Sequence, residues 1–161
     1  MRQNTVRASE VTQGYMQLLL KDFPQDKWFS RPAGVPSHGA WQVGHLAASG
    51  NSGLKVMGQS SLVDDSWGEL FGRGSQAVDD ASVYPSVTEL IETYNKVNVA
   101  LTEFYAHADQ AVLSADTTNQ RLIERFPKQG DFIVFLLTSH LAVHAGQLST
   151  LRKLYGLGNV M

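Results

Sequence analysis

Apolar residues recur at helical spacing in four stretches of the chain, with polar residues filling the positions between. The first stretch runs from about Ser9 to Phe23, with Val11, Tyr15, Leu18 and Leu19 toward one side, and Pro24 discourages continuation. The second runs from about Gly39 to Gly58 through Trp41, Val43, Leu46, Ala47, Leu54 and Val56. Gly44, Gly50 and Gly53 interrupt it; they lower helix propensity and also permit close approach of a neighbouring helix. The third is the most regular. Ser86-Val87-Thr88-Glu89 reads as a capping box, and Val87, Leu90, Ile91, Tyr94, Val97, Leu101, Phe104 and Ala108 follow at spacings of three and four. The fourth is expected to start at Asp131 as N-cap and to run through Ile133, Leu136, Leu137, His140, His144, Leu148 and Leu151. Arg152 and Lys153 suit the negative end of its dipole, and Gly156 is placed as its C′ residue.

No stretch of comparable strength alternates with period two. The expected architecture is therefore an all-α four-helix bundle, a single domain over residues 1–161. The connection from Gln59 to Pro85 is long, and it holds Leu62, Trp67, Leu70 and Phe71, which are poor residues to leave in water. It is expected to pack along the bundle. It is also long enough to cross the bundle's length, so the second and third helices can run parallel.

Composition narrows the chemistry. There is no cysteine among 161 residues, which excludes disulfides, thiolate metal sites and a cysteine nucleophile together. Thirteen Lys and Arg against fifteen Asp and Glu leave a charge of −2, which gives no reason to expect nucleic acid or an anionic membrane as partner. Phe132 to Leu151 carries no charged residue and is nominally long enough to span a bilayer. Its Thr138, Ser139, His140, His144, Gln147, Ser149 and Thr150 mark it instead as a buried helix of a soluble protein. No apolar run of signal-peptide length follows Met1 to Arg7, so a cytoplasmic location is the expectation.

The chemistry-bearing residues are histidines. His140 and His144 are four apart, so on a helix both imidazoles share one face, one turn apart. Both fall in the apolar stripe with Leu136, Leu137, Leu148 and Leu151. A buried imidazole needs a hydrogen bond or a metal, so two satisfied core histidines and a metal site are both open readings. His45, on the core-seeking side of the second helix, would make a three-nitrogen set with positions left for water or substrate. Such a set favours zinc, nickel or another borderline divalent ion. Leu141 follows His140, so the helix does not carry the glutamate of an HExxH site. His38 lies in a turn-like segment and His107 ends the third helix; neither fits the set as well.

Other signals are weaker. Gly72 to Ala77 formally fits G-x-G-x-x-A, but no strand pattern precedes it, which argues against a dinucleotide site. The pairs Asp64-Asp65 and Asp79-Asp80 read as solvated carboxylates in a Gly/Ser-rich loop.

Two blocks carry a family resemblance. Residues 39–47, Gly-Ala-Trp-Gln-Val-Gly-His-Leu-Ala, and residues 139–152, Ser-His-Leu-Ala-Val-His-Ala-Gly-Gln-Leu-Ser-Thr-Leu-Arg, resemble the DinB-like superfamily of small metal-binding four-helix bundles. The second block matches that family's HxxxHxGQL…LR signature, and Phe71-Gly72-Arg73-Gly74 and Tyr84-Pro85-Ser86 extend the likeness. The resemblance implies that His45, His140 and His144 bind the metal, that the bundle runs up-down-down-up, and that a homodimer is a candidate assembly. It also implies kinship with metal-dependent transferases and isomerases that use mycothiol, bacillithiol or glutathione.

Two functions follow as expectations. One is a metal-dependent transferase that directs a low-molecular-weight thiol at an electrophilic small molecule. With no cysteine in the chain, the sulfur has to arrive as a cosubstrate. Trp41, Trp67, Phe71 and Gln147 are its pocket candidates. The other is a non-catalytic metal-binding or small-molecule-binding module, in which the ion braces the second and fourth helices. A fourth protein ligand such as His38 would mark the bracing case. A metal-free bundle is the remaining possibility.

Overall fold

The computed structural model describes residues 2–160, and among them the chain is helical with no strand; one isolated bridge pairs Asp116 with Lys128. Six helices carry it: α1 (Arg2–Lys21), α2 (Gly39–Val56), α3 (Ser66–Phe71), α4 (Val87–His107), α5 (Gln110–Ser114) and α6 (Gln129–Leu154). The four long helices pack on one another, α2 chiefly against α4 and α1 chiefly against α6.

Local signals explain most boundaries. Ser86 Oγ accepts the Glu89 N–H at 3.2 Å, so α4 starts where its N-cap predicts. α2 and α6 end alike. The amide after the left-handed glycine and the glycine's own amide each bond back into the last turn: Gln59 to Leu54 O and Gly58 to Lys55 O, Leu157 to Arg152 O and Gly156 to Lys153 O, each 3.0 Å. Gly58 and Gly156 hold φ of 75° and 76°, which a side chain would resist.

Two expectations are corrected. α1 begins at Arg2, and its buried residues are Ser9, Met16, Leu19 and Leu20. Val11 and Leu18 are 62% and 43% exposed, on the opposite side of the helix. Burial of Ser9 is made tolerable by Gln13, whose amide donates to Ser9 Oγ and to Thr102 Oγ1 of α4 at 2.9 and 3.0 Å. Likewise Asp131 is not the N-cap of α6. Lys128 holds that position, and Asp131, three residues on, accepts the Lys128 N–H at 3.1 Å.

α6 is not a regular helix. Leu136–His140 forms a π turn between α-helical segments Gln129–Phe135 and Leu141–Leu154. At about 100° per residue, a regular helix would turn Phe132, Ile133, Leu136 and Leu137 roughly one position away from the face used by Leu141, Ala145 and Leu148. The extra residue of the π turn restores the register, and both halves face the core. α6 is long and apolar enough to cross a membrane by length and composition. Its buried positions contact α1, α2 and α4 instead.

The glycines of α2 have a packing reason. A Cβ at Gly44 would overlap the Phe71 ring, and one at Gly50 or Gly53 would meet Val97 Cγ1 at 2.8 Å or Leu136 Cδ1 at 2.7 Å. α2 is thus the helix around which α3, α4 and α6 close.

Candidate metal centre

His45 is set on α2 one turn after Trp41, whose indole stacks on it with centroids 4.8 Å apart and planes 11° apart. Its Nδ1 lies 2.6 Å from the carbonyl oxygen of Phe71. Phe71 ends α3, so its carbonyl has no helical N–H to accept and is free for the imidazole. The carbonyl can only accept, which fixes the proton on Nδ1 and leaves the Nε2 lone pair open. The long connection thereby supplies the outer partner of a histidine on α2.

His140 closes the π turn of α6 and His144 follows one turn later. The three rings converge: centroids of His45 lie 5.2 Å from His140 and 4.9 Å from His144, and His140 lies 4.7 Å from His144. One ring nitrogen from each lies within 4.8 Å of the others. The Nε2 atoms of His45 and His140 face each other at 3.1 Å. Two nitrogens on one divalent ion at about 2.0–2.1 Å stand roughly 2.9–3.4 Å apart for angles from 90° to tetrahedral, so this spacing suits a shared ion.

Electrostatics suit it too. Burial pushes the His140 pKa down to about 4, helped by the neighbouring His45. Burial likewise pushes His144 down to about 3, with His140 and His45 adding repulsion. Burial also lowers His45, partly offset by the Phe71 carbonyl. Burial thus favours the neutral form of all three imidazoles, the form that binds metal. His144 Nδ1 is buried without a hydrogen-bond partner, so protein contacts alone leave the cluster unsatisfied. Three neutral nitrogens with one orphaned buried atom fit a divalent transition ion.

A cleft of about 650 Å³ opens over this cluster, with His45 and His140 in its lining. Leu122, Phe126, Phe132, Phe135 and Leu136 form its apolar side. Phe126 packs 5.3 Å from Phe132 and 5.0 Å from Phe135, and Phe135 lies 5.4 Å from the His140 ring. None of the four pocket candidates from the sequence lines it. Trp67 and Phe71 are core side chains, with rings 5.2 Å apart. Trp41 is half-buried behind His45 and donates its indole N–H to Ser75 Oγ at 3.2 Å; Gln147 is exposed on α6. Sequence reasoning missed Leu122 and Phe126 because they lie in a segment with no helical periodicity.

The remaining histidines stand apart from the cluster. His38 is fully buried as the N-cap of α2, with Nδ1 accepting the Trp41 N–H at 3.1 Å and Nε2 donating to Val78 O at 2.9 Å. His107 is exposed at the end of α4. Gly72 and Gly74 lie on the cleft wall, and no strand precedes them among the described residues. Asp64 and Asp65 also reach the cleft, whereas Asp79 is paired with Arg31 at 2.7 Å.

The family model of the DinB superfamily matches residues 8–148, a span that includes α2, α4 and all three clustered histidines. The chain belongs to the DinB superfamily. A comparison with curated proteins finds no match. Membership agrees with the two sequence blocks around His45 and His140, which the fold brings face to face.

Proposed function

We propose that this DinB-superfamily protein is a metal-dependent enzyme, an up-down-down-up four-helix bundle whose His45, His140 and His144 hold a divalent ion such as zinc or nickel. The observation that carries the reading is the position of the cleft: two of the three histidines line it, so the open side of the site faces a space of substrate size. His38, the fourth-ligand candidate from the sequence, has both ring nitrogens engaged elsewhere. That favours an enzyme over a module in which the ion only braces helices.

When bound, a divalent ion supplies positive charge that stabilises a thiolate or hydroxide at neutral pH. The residues do the rest. Phe71 O holds the His45 tautomer, and Trp41 holds its ring plane. Phe126 and Phe135 exclude water from one side and offer an apolar surface to an organic substrate. Because the chain has no cysteine, a low-molecular-weight thiol cosubstrate is the nucleophile this reading assigns to an electrophilic small molecule.

The test uses untagged protein. Elemental analysis is expected to find one divalent transition ion per chain. Consumption of an alkyl halide or epoxide should then require both the ion and an added thiol. Turnover that is unchanged in the His140→Ala/His144→Ala double variant would overturn the enzyme reading.

A further inference from the structure

The arginines divide by whether a protein group partners them. Arg2, Arg7, Arg31 and Arg152 all use their guanidinium groups: Arg2 on Gln110 and Ala106 O, Arg7 on Glu10, Arg31 on Asp79, and Arg152 on Leu19 O. Among the described residues, the guanidiniums of Arg73, Arg121 and Arg125 make no hydrogen bond and no ion pair; these three all line the cleft over the histidine cluster.

They come from two separate segments. Arg73 sits just beyond α3, while Arg121 and Arg125 sit between α5 and α6 on the same stretch as Phe126. Lys55 adds a fourth cation, 3.9 Å from Asp65 in an exposed pair. Four cationic side chains against the carboxylates of Asp64 and Asp65 leave a local surplus of two positive charges, in a chain whose net charge is −2. These cations line one cleft and are exposed, so they give it a positive field that draws anions. Among the described residues no protein group bonds to the three guanidiniums, and their planar forks match carboxylate and phosphate oxygens two at a time.

We propose that the cleft binds a small molecule bearing a carboxylate or phosphate group. Arg73, Arg121 and Arg125 hold that group at the mouth, and the uncharged part of the molecule lies along Phe126 and Phe135 toward His45 and His140. The inference rests on the reading of this cleft as the substrate site, and it sharpens that reading to an anionic substrate or cosubstrate. The two ends of the cleft then have separate tasks: guanidiniums bind and orient, imidazoles hold the ion.

The test titrates metal-free protein with inorganic phosphate and with succinate, following arginine Nε–H and Phe126 resonances by NMR, with succinamide as the uncharged control. Saturable binding of at least one anion is expected with a Kd below about 10 mM, and none for succinamide. The Arg73→Gln/Arg121→Gln/Arg125→Gln variant should weaken it at least tenfold while binding zinc as tightly as the parent. The stronger of the two anions identifies the head group as phosphate or carboxylate. The His140→Ala/His144→Ala variant should lose zinc yet keep the anion, so a failure of the metal site and a failure of the anion site read out separately. Equal anion binding by the parent and the arginine variant, or no saturable binding of either anion, would overturn the proposal.

Discussion

His45 donates its Nδ1 proton to the carbonyl oxygen of Phe71 at 2.6 Å, and the Phe71 ring rests against Gly44, the residue immediately before His45. One glycine thus sets how closely α3 approaches α2, and the approach sets the histidine tautomer. Gly44→Ala places a methyl group in overlap with Phe71 Cε1, so the ring has to shift, and α3 is expected to move outward with it. Loss of the carbonyl partner at a ligating histidine should weaken metal binding by about 10- to 100-fold. A competition titration against a chromophoric chelator measures this. An unchanged affinity would mean the Phe71 carbonyl has no part in ordering the site.

His144 carries the opposite lesson. Its Nδ1 is buried without a partner, so in metal-free protein it costs stability rather than adding it. His144→Leu keeps the side chain apolar and of similar size. It should raise the stability of metal-free protein by about 1–3 kcal/mol in urea unfolding, the cost of an unsatisfied buried group, and should abolish the stabilisation that added zinc gives the parent. A destabilised variant would mean that His144 is satisfied by a contact other than a metal.

What was legible in the sequence was local. Ser86 announces α4 because the cap bond spans three residues, and Gly58 and Gly156 announce helix ends because the turn needs a positive φ. The histidines stood out because imidazoles in an apolar stripe demand a partner, and the fold brings all three together. What was hidden depends on distant segments. The buried face of α1 is Ser9, Met16, Leu19 and Leu20, with Gln13 reaching Thr102 of α4; that this face turns inward rather than Val11 and Leu18 depends on helices distant in sequence. The π turn reads as ordinary helix, since Leu136 to His140 fits either register until the core on both sides is known. The cleft wall needs Phe126 to meet Phe132 and Phe135 across a segment with no periodicity of its own.

Tyr94 offers a check on the core beside this site. Its ring is buried on α4, and its hydroxyl has no hydrogen-bond partner; burial pushes the phenol pKa upward. Tyr94→Phe removes only the unsatisfied oxygen, so it should leave stability unchanged or raise it by about 1 kcal/mol. Chemical denaturation decides this, and a loss beyond about 1 kcal/mol would mean the hydroxyl has a bonded partner in solution.

Acid sensitivity follows from the same histidine cluster. In the unfolded chain each imidazole titrates near 6.5, whereas in the folded protein His140 and His144 titrate near 4 and 3. Well above pH 6.5 both states are neutral and the cluster has no pH dependence. Below 6.5 the unfolded chain takes up protons that the folded protein refuses. Stability of metal-free protein therefore falls with acid from about 6.5 toward the folded values, at up to about 1.4 kcal/mol per pH unit for each imidazole. Urea unfolding at pH 7.5, 6 and 5 should reveal that slope. The His140→Leu/His144→Leu variant should lose the larger part of it, while His38 and His45, also lowered by burial, keep a share in both proteins. Equal slopes for the two proteins would mean that His140 and His144 accept protons in the folded state as readily as in the unfolded one.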